Sequence, residues 1–235
     1  MSQSENAGLK VISAGAVEYV VRGLARRFTA DTGTRVDFTF RTIAGVRKLL
    51  AEGQSADLVV GTTSAIREMV ADGTLLPGST RDIGSTATGI CVRAGAAVPD
   101  ISTPQMLRDL LAAARSVAYS DPKVGGSSGI WLVRFMDGMG ILSRVQAKSV
   151  LCKNGEDIVK AVADGTAEIG STFVSEFPLA GGITSAGAIP ASFGNATSYA
   201  AGLRQGSANV EAARKFLAFI TSDREAWSSC GFEPA

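Results

Sequence analysis

Histidine is absent from this 235-residue chain, and cysteine occurs only three times. The first absence removes Ser–His and Cys–His nucleophile pairs and the usual zinc sites. Cys91, Cys152 and Cys230 are widely spaced and odd in number, so they form neither a disulfide framework nor a metal-binding pattern, and no metal or other cofactor is implied. Cys91 and Cys152 lie in apolar runs and read as core residues. An excess of either charge is also missing: 23 basic residues against 22 acidic ones leave a net +1. The basic residues are not gathered into a stripe with aromatics, which leaves no electrostatic case for nucleic acid. No apolar run is long enough to span a bilayer, and the opening Met1-Ser-Gln-Ser-Glu-Asn-Ala-Gly8 lacks the basic and apolar regions of a secretory leader. The expectation is a cytoplasmic, monomeric protein as numbered, or a periplasmic one trimmed of its leader.

What is present is a globular composition, 46% hydrophobic and 19% charged with 27 glycines, long enough for one large domain or two small ones. Short apolar runs alternate with segments of helical spacing. Leu9–Ser13 reads as a strand, and Val17, Val20, Val21, Leu24 and Phe28 recur on one helical face. Val36–Phe40 and Ala56–Gly61 read as further strands, each followed by a helix. From Ser85 the chain changes direction: Thr88–Arg93 is an expected strand and Pro104 begins an expected helix at its first position. The alternation then restarts, with strands at Val117–Ser120, Ser149–Cys152, Glu168–Phe173 and Ser198–Leu203, while Ala180-Gly-Gly182 breaks the pattern. Such alternation implies parallel sheets, with ligands at the carboxyl ends of the strands.

The stretch Ser120-Asp-Pro-Lys-Val-Gly-Gly-Ser-Ser-Gly-Ile130 joins a strand to a helix. Its glycines allow a tight turn and close approach of a ligand, and Ser127 or Ser128 is placed to cap the helix. It reads either as a capped turn with no ligand or as an anion-binding helix start.

Four segments in order carry a resemblance: Lys10-Val-Ile-Ser-Ala-Gly-Ala-Val17, Gly53-Gln-Ser-Ala-Asp-Leu-Val-Val60, the Ser120–Gly129 loop, and Asp164-Gly-Thr-Ala-Glu-Ile-Gly170. With Asp223-Arg-Glu-Ala-Trp227 and Gly231-Phe232, they resemble the type 2 periplasmic solute-binding proteins, nearest the molybdate-binding branch, over about Leu9 to Phe232. The resemblance implies a two-lobed α/β fold, each lobe a mainly parallel sheet flanked by helices, joined by two crossover hinge strands, with the ligand between the lobes. Residues 1–86 with 197–235 would form lobe I and 87–196 lobe II.

In that branch an oxyanion is held by hydroxyls and backbone N–H groups at helix starts. The corresponding positions here are Gly15 and Ala16, Arg41 and Thr42, Lys123, Ser127 and Ser128, Gly155 in the turn Lys153–Glu156, and Phe173. Ala16 stands where the resemblance implies a serine, and Phe173 where it implies a tyrosine. Arg41 adds a guanidinium, which pairs bidentately with carboxylates.

Three functions follow. The first is a solute-binding module for a small anion, preferably an organic di- or tricarboxylate, working with an ABC permease if secreted. The second is an isomerase, since aconitate isomerase is among the relatives of this branch; Glu18 or Glu176 would be the base, with Tyr19 as a further residue near the ligand. Both acids also have plain structural readings, Glu18 as a first-turn acid favoured by the helix dipole and Glu176 as an exposed residue. The third is a molybdate- or tungstate-type oxyanion binder. A ligand-responsive transcription factor ranks last, because no helix-turn-helix segment precedes the first strand. Asp57 reads as a structural hydrogen-bonding residue.

Overall fold

The computed structural model describes residues 8–235, so the opening segment examined for leader features lies outside them up to Ala7. In chain order the elements are β1 (Leu9–Ala14), α1 (Glu18–Thr32), β2 (Val36–Arg41), α2 (Ile43–Ala51), β3 (Leu58–Thr62), α3 (Thr63–Ala71) and β4 (Arg81–Arg93). They continue as α4 (Pro104–Ala113), β5 (Val117–Ser120), α5 (Ser127–Gly138), α6 (Leu142–Gln146), β6 (Ser149–Cys152), α7 (Gly155–Ala163) and β7 (Ile169–Phe173). The last are β8 (Ile183–Ala188), β9 (Ala196–Leu203), α8 (Val210–Ser222), α9 (Arg224–Ser228) and β10 (Phe232–Pro234). Two compact lobes divide the chain: lobe one takes residues up to Ser85 together with Ser198–Ala235, and lobe two takes Thr86–Thr197.

In lobe one, β1 lies between β2 and β3 and is parallel to both, with Ser13 opposite Phe40 and Val60. All five residues of β3 are buried, as expected of a strand covered on both faces. One face packs Ile12, Val59 and Leu75 against Val46 of α2 and Ile66 and Met69 of α3. On α1, Val20, Val21, Leu24, Ala25 and Phe28 are buried, and the Phe28 ring packs 5.1 Å from Phe216 of α8. Asp57, just before β3, is a structural residue: it accepts the Lys10 N–H at 2.8 Å, the Ser207 hydroxyl at 2.6 Å and the Asn209 amide at 3.2 Å.

In lobe two, β5 lies between β6 and β7, parallel to both. Ile90, Val117, Tyr119 and Ile169 pack on one face with Leu132 and Met136 of α5. Cys91 and Ala118 pack on the other with Ile158, Val159 and Val162 of α7. Each lobe is therefore a sheet with a parallel centre flanked by helices, as expected.

Two expectations need correction. The sheets are mixed rather than parallel throughout: β9 is antiparallel to β3, β4 to β7, and β8 to β4. The strand expected at Thr88–Arg93 is the second half of the 13-residue β4, and the break at Ala180–Gly182 leads directly into β8. Ile183-Thr-Ser-Ala-Gly-Ala188 has little intrinsic strand preference, and pairing with β4 supplies what the local sequence does not.

Candidate functional site

Parallel strands bring the loops that follow them to one edge of a sheet, where helix starts point their N–H groups outward. Each lobe has such an edge.

In lobe one the last residue of β1, Ala14, is registered with Arg41, the last of β2. Gly15–Val17 form a 3-10 turn in which Ala16 is buried, and α1 follows at Glu18. Glu18 is not an isolated acid: Arg22, one turn further on, donates to its carboxylate at 2.8 Å, leaving its side chain 18% exposed. The Arg22 guanidinium also lies 4.6 Å over the Phe40 ring, tying α1 to the end of β2. Tyr19 is 45% exposed beside Glu18. Arg41 is exposed, donates to the carbonyl of Phe40 at 2.7 Å, and has no carboxylate partner among the described residues. Thr42 caps α2, accepting the Gly45 N–H at 3.3 Å.

Two features of this edge were not read from the sequence. Arg22 could have been found from its position four residues after Glu18, the favourable order for a helical ion pair. Thr62 caps α3 by accepting the Ala65 N–H at 3.3 Å, and its hydroxyl lies 3.2 Å from that of Ser64. The run Thr62-Thr-Ser64 after an apolar strand was the available signal.

In lobe two, Ser120 at the end of β5 is registered with Cys152 at the end of β6. The Asp121 side chain accepts the Lys123 N–H at 2.9 Å, a 3-10 turn covers Pro122–Val124, and Gly125 takes a left-handed conformation at φ 75°. Lys123 is exposed. The expected cap is corrected here: neither Ser127 nor Ser128 caps α5, and the N-cap position is Gly126. The cap hydroxyl comes from buried Ser120, nine residues upstream of its donor, which accepts the Gly129 N–H at 3.1 Å. A Cβ at position 129 would overlap both the carbonyl oxygen and the hydroxyl of Ser120, so only glycine permits this approach. The Ser127 and Ser128 hydroxyls, relieved of capping, have no protein hydrogen-bond partner among the described residues.

Beside them α7 starts at Gly155 after the cap Asn154, whose side chain accepts the Asp157 N–H at 2.9 Å. Glu176 is corrected as well: it is 6% exposed, not a surface acid, and its carboxylate accepts a hydrogen bond from Thr172. That carboxylate lies so close to Gly155 that any Cβ there would overlap it. It therefore sits buried against the positive end of α7. Phe173 is also buried, with its backbone opposite Thr88.

Gly15, Ala16, Glu18, Arg41 and Thr42 thus gather at one edge, and Lys123, Ser127, Ser128, Gly155, Phe173 and Glu176 at the other. Burial pushes the Cys91 thiol up to about 12 and the Cys152 thiol to about 11, with Asp157 adding to the second, so neither is poised as a nucleophile. Among the described residues no three His, Cys, Asp or Glu side chains could hold a metal ion, and no helix is long and apolar enough to cross a membrane.

The family described as bacterial extracellular solute-binding protein matches residues 9–233. An aconitate isomerase from a Pseudomonas species is 31% identical over 220 residues, covering 91% of this chain and 82% of that protein. Among solved structures, the periplasmic molybdate-binding protein of Azotobacter vinelandii superposes with a TM-score of 0.80 at 19% identity, covering 96% of this chain and 98% of that one. The sulfate-binding protein of Mycobacterium tuberculosis H37Rv gives a TM-score of 0.76 at 17% identity, covering 97% and 87%. At these identities the two structures show a shared fold.

Proposed function

This chain belongs to the bacterial extracellular solute-binding protein family, and from that premise we propose that it recognises a small organic polycarboxylate of the aconitate class. The observation that carries this reading is Arg41. It is exposed at the carboxyl edge of lobe one, next to the cap of α2, and no carboxylate of the described residues neutralises it. A guanidinium so placed offers the two parallel N–H donors that a carboxylate takes. The Ser127 and Ser128 hydroxyls and the start of α5 suit a further carboxylate group of the same ligand class. A tetrahedral metal oxyanion is less well matched, because Ala16 and Phe173 offer no hydroxyl where the resemblance implied one. The likeness to an aconitate isomerase over most of both chains supports the same ligand class. As a member of an extracellular family, the protein would pass its ligand to an ABC permease.

That same likeness favours a second reading, isomerisation. A methylene proton next to a carboxylate of aconitate would pass to Glu18, the electron pair would spread over the allyl system and its carboxylates, and the proton would return to the far carbon with the double bond shifted. Arg41 would stabilise the added negative charge. Glu18 suits the base better than Glu176, because it lies in the first turn after the Gly15–Val17 loop and keeps part of its side chain exposed.

The test is a melting-temperature screen of the protein with citrate, cis- and trans-aconitate, molybdate, tungstate and sulfate. The polycarboxylates are expected to raise the melting temperature and the oxyanions to leave it unchanged; the reverse result overturns the ligand class. Incubation with cis-aconitate in deuterium oxide, followed by proton NMR, separates the two readings. Interconversion or deuterium uptake that Glu18→Gln abolishes supports isomerisation, and binding without either supports the solute-binding module.

A further inference from the structure

Lobe two carries a cleft of about 600 Å³ at the end of its parallel strands opposite the carboxyl edge. Its walls come from the end of β4 and the beginnings of β5 and β7, where Val92 is registered with Ile169 and Ile169 with Val117. Strands of this length put about 15 Å between that end and the edge bearing Ser120 and Phe173. Val92, Pro99, Leu110, Ala167 and Ile169 make the lining largely apolar, and the volume lies within the range of small-molecule sites.

Two guanidiniums flank this apolar lining, and they are not equivalent. Arg115 is neutralised: its side chain lies 3.3 Å from a Glu168 carboxylate oxygen, and its backbone N–H donates to the same oxygen at 2.6 Å. Arg93 forms no ion pair among the described residues. Its guanidinium lies against Gly165, whose φ of 84° and missing side chain leave room for it, and, after the hydrogen bonds from Thr166, its charge helps hold the Asp164 carboxyl below its ordinary value. A Cβ there would overlap the guanidinium. A guanidinium without an ion-pair partner within 4 Å, beside an apolar cleft, suits a ligand with one anionic end and a nonpolar body.

We propose that this cleft binds a small amphipathic monocarboxylate, its carboxylate paired with Arg93 and its hydrocarbon part against Val92, Pro99 and Leu110. The site is separate from the one that recognises polycarboxylates, since it shares no residue with either carboxyl edge.

The experiment is an NMR titration of the ¹⁵N-labelled full chain with phenylacetate, using 2-phenylethanol as the neutral control. Saturable shifts are expected at the amides of Arg93, Leu110 and Ala167, with at least tenfold weaker binding of the alcohol. Arg93→Gln should weaken phenylacetate at least tenfold. Ala97→Trp, which fills the cleft from an exposed loop, should abolish the shifts without lowering the melting temperature, and Arg41→Ala should leave them intact. No saturable shift at 20 mM phenylacetate, equal binding of the alcohol, or an unchanged affinity in Arg93→Gln would overturn the proposal. Loss of phenylacetate binding in Arg41→Ala would also overturn it, by assigning the ligand to the polycarboxylate site.

Discussion

At the carboxyl edge of lobe one the candidate groups are long side chains, Arg41 with no carboxylate partner among the described residues and Glu18 held by Arg22. At the corresponding edge of lobe two they are short: hydroxyls of Ser127 and Ser128, and helix starts fixed by Ser120 against Gly129 and by Glu176 against Gly155. On the proposed reading, the first edge carries its specificity in atoms that extend away from the fold, so it can be altered without disturbing packing. The second carries it in backbone positions that are themselves part of the packing. Binding and folding should therefore separate under mutation in lobe one and remain joined in lobe two.

The largest expected effect is on lobe two. Gly129→Ala forces a methyl group into the Ser120 carbonyl and should lower stability by about 3 kcal/mol. Urea denaturation followed by tryptophan fluorescence in a Trp227→Phe background, which leaves Trp131 of α5 as the reporter, measures it; a loss under about 1 kcal/mol would mean that the approach of α5 to β5 is not tight. Next, Arg41→Ala should weaken polycarboxylate binding about 100-fold, roughly 2.7 kcal/mol, with the melting temperature held within about 1 °C. Calorimetry and thermal unfolding on the same sample show whether the two properties separate.

The thiols give a smaller effect confined to lobe two. Burial raises the Cys91 thiol from 9.0 to about 12, so the unfolded chain releases this proton first as pH rises. The stability it contributes is complete below pH 9 and declines between about pH 9 and 12, by about 1 kcal/mol at pH 10. Chemical denaturation at pH 8 and pH 10 should show this decline, and Cys91→Ala should reduce it; an equal decline in that variant would assign the alkaline loss elsewhere. The smallest contrast concerns caps. Thr42→Ala removes a cap hydrogen bond and should cost about 1 kcal/mol. Ser127→Ala removes none and should stay within about 0.5 kcal/mol while still weakening ligand binding.

Much of the fold was legible because its helices keep one apolar face and its central strands are continuous apolar runs. Val20, Leu24 and Phe28 on α1, or Leu58–Val60 in β3, announce their burial by spacing alone. Strands without that signature were not legible: β8 and β10 are short or rich in small residues and owe their existence to β4. The same division holds at the site. Thr42 before an apolar helical run could be read as a cap, because the cap and its donor are three residues apart. Ser120 could not, since the N–H it accepts is nine residues away, across a loop whose path only the folded chain defines. Glu176 looked like a surface acid because nothing near it in sequence reveals Thr172 and Gly155 as its neighbours.

The division of the chain into lobes also bears on synthesis. Lobe two is one uninterrupted stretch, Thr86–Thr197, whereas lobe one requires Ser198–Ala235 to return and place β9 against β3. As the polypeptide leaves the ribosome from its amino end, lobe two can complete its core while β1–β3 still wait for their closing strand. The buried, apolar β3 is thus exposed longest of the central strands, and a nascent chain halted before Leu203 would present an unsatisfied sheet edge to chaperones or to other copies of itself.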